Sequence, residues 1–280
     1  KHGELKLRSR FKLAKELSHE NYDRSVIMTN SLKSSLIPFF ARIPVRTSWL
    51  GEMRFGLIND LRSKEKDSYP LMIEQFAKLG IKPIEDMNEP LPYPSLIVDL
   101  QNLKLLLDNF KIDTYKPSLA ICPGAEFGPA KKWPSNYYAE ICNEYLSKDW
   151  NVLVFGSVND ELTGRDIEVE INKENSEGFF NLIGKTSLID AIDLISQCKA
   201  AVTNDSGLMH IAAAVDTPLV AVYGPSTPKF TPPLIKNHIV LRKFDGFDKA
   251  RQGLEEGGYH ESLIAIKPSE VLEGLERLRK

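Results

Sequence analysis

Four short runs, 118–122 (SLAIC), 152–155 (VLVF), 200–203 (AAVT) and 219–223 (LVAVY), carry no charge and show no apolar/polar alternation. A strand with one wet face alternates, so a strand that does not alternate must be covered on both faces. Parallel sheets flanked by helices provide that cover. Further strand-length runs lie at 25–29, 95–98, 179–183 and 239–241, with helical patterns at 101–110, 135–147, 187–197 and 208–215 between them. The βαβα order predicts an α/β fold built on parallel sheets.

The 280 residues exceed what one core usually supports, so two domains are expected. A polar, proline-rich stretch at 86–94 precedes a fresh strand series at 118, which places the boundary at 111–117 and the domains at 1–113 and 114–280. The tail 268–280 has amphipathic spacing, with Pro268 suited to a first helical turn. A net charge of −2 argues against nucleic acid as a partner. Three dispersed cysteines, without a C-x-x-C pair, point to reduced thiols and no zinc site. No apolar run reaches the roughly 20 residues of a membrane-spanning helix, so a cytoplasmic location is expected. The opening KHGELKLRSR is charged and brings no apolar strand, so a trimmed chain or a fragment is expected.

Two stretches carry chemistry. Residues 203–226 read as the end of a strand, the turn Asn204-Asp205-Ser206-Gly207, an Ala-rich helix bearing His210, and another strand. The first N–H groups of a helix lack partners and carry partial positive charge, and Gly207 lets an anion approach the backbone. Taken alone, the same residues read more readily as a helix cap with His210 packed beneath, and it is the rest of the chain that favours the anion site. The second stretch, PGAEFGPAKKWP at 123–134, follows a strand and presents Lys131 from a loop that Trp133 and Pro134 staple to the next helix. It is not a Walker loop, and the chain holds no G-x-G-x-x-G fingerprint. A lysine at the carboxyl end of a parallel strand is placed to neutralise a diphosphate.

Together CPGAEFGPAKKWP (122–134), LVFGS (153–157), TNDSGLMHIAAA (203–214), VAVYGPS (220–226) and FTPP (230–233) resemble the ADP-heptose:lipopolysaccharide heptosyltransferases of glycosyltransferase family 9. The tail 258–275 and the stretch 30–60 fit as well, so the resemblance runs from about residue 20 to the end. It implies the GT-B architecture, with two Rossmann-like domains facing a cleft, the amino-terminal one incomplete, and a C-terminal helix crossing back. It also implies acceptor binding by 1–113 and donor binding by 114–280. Residue by residue, Lys131 resembles the family lysine near the donor diphosphate. Asp205, Ser206, Gly207 and His210 resemble the element that holds diphosphate and sugar. Ala125, Glu126 and Phe127 fall in the stretch lining the donor pocket, and Asp160 or Glu161 matches a ribose contact. Family members begin with a strand and a Gly-Asp loop carrying the catalytic base. That segment, roughly 60 residues by the size of a missing βαβ portion, is absent here, so the catalytic residue is unassigned and weak or no transfer is expected of the chain as given.

The resemblance implies an inverting, metal-independent displacement with ADP-heptose as donor and no cofactor. The implied acceptor is the inner-core heptose of lipid-anchored Kdo-lipid A, reached by peripheral contact with the inner face of the inner membrane. Residues 1–54 carry eleven Lys and Arg against five Asp and Glu, which suits an anionic acceptor. Lys33, Arg42, Arg46 and Arg54 are its candidate contacts, while the basic residues of 6–15 read as a solvated helix face. Two other readings stand beside this one: a non-catalytic nucleotide-sugar binding module, and another GT-B enzyme such as a sugar-nucleotide epimerase. Cys122 beside the loop has no activating base in sequence and reads as a buried thiol.

Overall fold

The computed structural model describes residues 5–63, 69–82, 85, 87, 90–125, 128–246 and 253–279. The chain forms two compact units, Lys1–Leu91 with Lys229–Thr231, and Pro92–Pro228 with Pro232–Lys280.

In the first unit, β1 (Arg24–Ile27), β2 (Val45–Trp49) and β3 (Asp60–Arg62) form a parallel sheet in that order. Helices α1 (Leu7–Leu17) and α2 (Leu32–Phe40) pack together over Ala14, Ala41 and Ile43, and α3 (Met72–Gly80) packs on β2. The apolar patterning gave no sign of β2 or β3. Their polar groups find partners in the sheet and beside it: Asp60 accepts from Thr47 Oγ1 at 2.8 Å and from Arg24 at 3.2 Å and pairs with Arg62 at 2.9 Å, and Arg62 also donates to the Lys78 and Ile81 carbonyls at 2.8 and 2.6 Å. Polar residues can fill buried strands when each finds such a partner.

The second unit holds six parallel strands in the order β6-β5-β4-β7-β8-β9. They are β4 (Ser118–Cys122), β5 (Asn151–Val154), β6 (Phe179–Asn181), β7 (Ala200–Asn204), β8 (Leu219–Tyr223) and β9 (His238–Arg242). The side chains of β4 alternate between two cores. Leu119 and Ile121 join the cluster with Tyr138 and Val271, whereas Ala120 and Cys122 join that with Leu194 and Met209. The helices are α4 (Leu100–Phe110), α5 (Ser135–Leu146), α6 (Glu161–Val169), α7 (Leu188–Ser196), α8 (Gly207–Ala214), α9 (Glu261–Ile264) and α10 (Pro268–Leu278). Each fully buried Leu or Val contributes about 1.5–3 kcal/mol, so two continuous cores make the sheet a rigid platform.

One expectation needs correction. The run 95–98 is not a strand: Ile97 is 97% exposed, and the Leu96 amide donates to the Ala214 carbonyl at the end of α8, not to a neighbouring strand. Helix α4 lies with the second unit, which begins at Pro92. Asp99 caps α4 by accepting from the Gln101 and Asn102 amides, and buried Asp193 of α7 accepts from the Asp99 amide at 2.9 Å and Asn102 Nδ2 at 2.7 Å. Helix α10 packs in the second unit, with Val271 and Leu275 buried in its core. No described helix is long and apolar enough to cross a membrane.

Candidate donor-binding site

In the second unit the winding reverses between β4 and β7, with β5 and β6 to one side and β8 and β9 to the other. Ligands in such sheets bind at the carboxyl ends of the strands around this point. Cys122 lies opposite Thr203, so the loops leaving β4 and β7 depart side by side.

After β4 the chain passes Pro123, Gly124 and a turn at Gly128, whose φ of 106° favours glycine. A short 3-10 turn, Pro129–Lys131, then presents two lysines in different directions. Lys131 Nζ lies 2.7 Å from Asp205 Oδ2, and Lys132 Nζ lies 2.8 Å from Asp160 Oδ1 and 3.2 Å from Thr163 Oγ1. Trp133, fully buried, donates its indole N–H to the Ile266 carbonyl at 2.9 Å and packs edge-on against Tyr138, which pins the end of the loop.

Asp160 closes the turn after β5. Its Oδ2 accepts from the Ser157 amide at 3.1 Å and the Ser157 hydroxyl at 2.8 Å, while Oδ1 serves Lys132. Burial alone would raise its pKa, but the bonds from Lys132 and Ser157 hold it below the ordinary carboxylate value. A methyl on Gly124 would stand 2.7 Å from Asp160 Oδ2, and one on Gly156 would stand 3.1 Å from Asp160 Cβ. Both glycines therefore make room for this carboxylate. Neither this clamp nor the role of Lys132 was foreseen from sequence, although Gly124 and Gly156 were its only visible trace.

A cavity of about 1170 Å³ opens over these strand ends. Gly124, Ala125 and Lys132 form one wall, and Gly156, Ser157, Asp160 and Thr163 a second. Ser206, Gly207, Leu208 and Ile211 form the third, with Thr186, Ser187 and Leu188 completing the rim. Ser206 precedes α8 without capping it, and its buried hydroxyl has no hydrogen-bond partner. A Cβ on Gly207 would meet no atom within 4 Å, so the start of α8 faces open space. His210 is exposed one turn on; surrounding protein lowers its pKa below the usual imidazole value, with Asp205 working in the opposite direction. Glu161 is exposed and faces Arg165 at 3.7 Å, while Glu126 and Phe127 lie outside the described residues.

Residues 10–256 match the family described as Glycosyltransferase family 9 (heptosyltransferase). The chain belongs to glycosyltransferase family 9. It is similar to the lipopolysaccharide heptosyltransferase 2 of Salmonella typhimurium strain LT2, with 46% identity over 99% of this chain and 81% of that relative. The Escherichia coli K12 protein of the same name is 45% identical over the same shares. Among solved structures, E. coli ADP-heptose lps heptosyltransferase II superposes with a TM-score of 0.88 at 43% identity, over 97% of this chain and 81% of that one. A glycosyltransferase family 9 structure from Veillonella parvula shares the fold, with a TM-score of 0.84 at 17% identity. This family-9 chain is therefore a glycosyltransferase with the α/β, parallel-sheet fold of the GT-B heptosyltransferases.

The basic candidates in the first unit of this family-9 chain divide into two groups. Arg54 is buried and donates to the Thr29 carbonyl at 2.8 Å and the Trp49 carbonyl at 2.6 Å, and burial lowers its pKa against the opposing charge of Glu52. Arg46 donates to the Leu57 and Ile43 carbonyls at 2.7 and 2.6 Å and lies over the Phe39 ring. Both guanidinium groups thus hold loops of the first unit. Arg42 is exposed, and Lys33 is half-buried at the start of α2. All three cysteines are buried, and burial pushes the Cys122 thiol up to about 12, as expected of a structural thiol. Among the described residues, no group of His, Cys, Asp and Glu is arranged to hold a metal ion.

Proposed function

We propose that this chain transfers heptose from ADP-heptose to a lipid-anchored lipopolysaccharide core acceptor, and that the cavity over β4, β5 and β7 holds the donor. In this reading the diphosphate lies between Lys131 and the start of α8. The acceptor hydroxyl attacks the anomeric carbon, the bond from that carbon to the diphosphate breaks with inversion, and the hydroxyl proton passes to a general base. Negative charge grows on departing ADP, and prepositioned donors stabilise it more than they stabilise the bound donor. Lys131 exchanges Asp205 for phosphate oxygens, and Ser206 offers a hydroxyl that has no other partner. Neutral His210 supplies a ring N–H. Leu188, Leu208 and Ile211 give the nucleoside an apolar seat. Since both Asp160 oxygens are engaged, Asp160 shapes this pocket, and ribose hydroxyls meet Ser157 and Thr186.

The observation that carries the proposal is the 2.7 Å approach of Lys131 to Asp205, at the switch point and beside the unpartnered Ser206 hydroxyl. Lys33 and Arg42 are the proposed contacts to acceptor phosphates and carboxylates, at a peripheral position on the inner membrane. Incubation with ADP-heptose and inner-core acceptor, read by mass spectrometry and by ADP release, tests the proposal. ADP binding by the chain is expected, together with addition of one heptose and stoichiometric ADP release once a family-type strand and Gly-Asp loop are joined to it. Absence of both transfer and ADP binding would overturn it.

A further inference from the structure

Asn204, the last residue of β7, is fully buried, and its side chain joins three separate parts of the second unit. Its Oδ1 accepts from the Trp133 amide at 3.1 Å and from the Tyr138 hydroxyl at 2.9 Å, and its Nδ2 donates to the Pro123 carbonyl at 2.7 Å. The orientation is fixed chemically. A flipped amide would set its NH2 against the Trp133 N–H and its oxygen against the Pro123 carbonyl. Pro123 and Trp133 flank the loop that carries Lys131 and Lys132, and Asn204 immediately precedes Asp205, Ser206 and Gly207. One amide therefore ties both ends of the lysine loop to the strand that opens into the α8 turn.

We propose that Asn204 is a positioning residue for the transfer reaction. It sets the register between Lys131 and the α8 turn, so that one diphosphate meets both. The inference rests on the donor-site reading above. Backbone pairing of β4 with β7 ends at Cys122 and Thr203, and beyond it the Asn204 amide is the link that reaches both loop ends. Each of the three bonds lies in the buried interior, where a mismatched partner is costly. A simple cap would bond to the amides of its own helix, whereas all three Asn204 partners lie 66 or more positions away in sequence.

Asn204→Asp gives a test with a signature of its own. The ionised carboxylate turns an oxygen on the Pro123 carbonyl, whereas the protonated acid restores a donor there. A buried carboxyl has a raised pKa, so protonation recovers within an accessible range. ADP binding by calorimetry, expressed as the ratio of variant to parent Kd, is expected to weaken about tenfold at about pH 8 and to return to within about threefold at about pH 5.5. In a Lys131→Ala background the same substitution is expected to cost less than about threefold, because residues acting through one contact are not additive. Equal losses in both backgrounds, or a ratio independent of pH, would overturn the proposal. If Asn204→Asp does not fold at the higher pH, Asn204→Ser carries the background comparison with the same expected outcomes. Failure of the parent chain itself to bind ADP would instead count against the donor-site reading.

Discussion

Gly124 and Gly207 both line the cavity proposed for the donor, yet the structure gives them different reasons to lack a side chain. A methyl on Gly124 would sit 2.7 Å from Asp160 Oδ2 and 3.0 Å from Cγ. An unstrained carbon–oxygen contact is about 3.3 Å, so the carboxylate must retreat by about 0.6 Å. It cannot do so freely, because Lys132 at 2.8 Å and the Ser157 hydroxyl at 2.8 Å hold it. Lengthening these bonds by that amount takes them out of hydrogen-bonding range. Overpacking of this kind costs about 2 kcal/mol, which lowers the melting temperature of the second unit by about 4–8 °C. Gly207 differs, since its methyl would meet nothing within 4 Å. Gly207→Ala is expected to melt like the parent, yet to bind ADP about tenfold more weakly, because the methyl occupies the approach to the helix start. Scanning calorimetry and ADP titration on both variants check the pair. A Gly124→Ala protein with parental melting and ADP affinity, or a Gly207→Ala protein that melts early, would refute the reasoning.

Lys131→Ala should lower kcat/KM for ADP-heptose by about 2–4 kcal/mol, the scale of one lost electrostatic donor, measured by steady-state kinetics. Asp160→Asn should destabilise the second unit by about 2 kcal/mol at neutral pH by leaving Lys132 without its charge partner. Because the folded-state pKa of Asp160 is depressed, the parent's advantage is full above the unfolded value near about 4 and fades as pH falls below it. Denaturant unfolding of both proteins across that range shows whether the difference closes on the acid side. Arg54→Met should remove the guanidinium bonds to the Thr29 and Trp49 carbonyls and cost the first unit about 2–3 kcal/mol, seen as faster amide exchange in β1 and β2 while β4–β9 are unaffected.

The second unit was legible in sequence because its strands are covered on both faces, and burial without polar partners leaves only apolar residues. Strands β4, β5, β7 and β8 could thus be read almost to their ends. In the first unit the same physics worked through pairing. Thr47, Asp60 and Arg62 find partners in one another, in Arg24 and in the Lys78 and Ile81 carbonyls, so their strands carry no apolar signature. The run 95–98 misled in the opposite sense, since a short apolar stretch fixes no partner and Ile97 projects into solvent. At the site, Lys131 and the turn at 205–207 were visible because each belongs to a local strand–loop–helix pattern. The Lys132–Asp160 clamp spans 28 positions and the Trp133–Asn204 bond spans 71, so no local pattern announces either. Asn204 read only as one more cap candidate. Arg46 and Arg54 stood out by charge, and only their carbonyl partners reveal what they hold.

The most direct test of the account is a crystal structure of the chain with ADP bound. The diphosphate is predicted to lie within hydrogen-bonding distance of Lys131 Nζ and of the Ser206–Gly207 turn, with Lys131 released from Asp205. A diphosphate bound away from either element, with the Lys131–Asp205 pair intact, would contradict it.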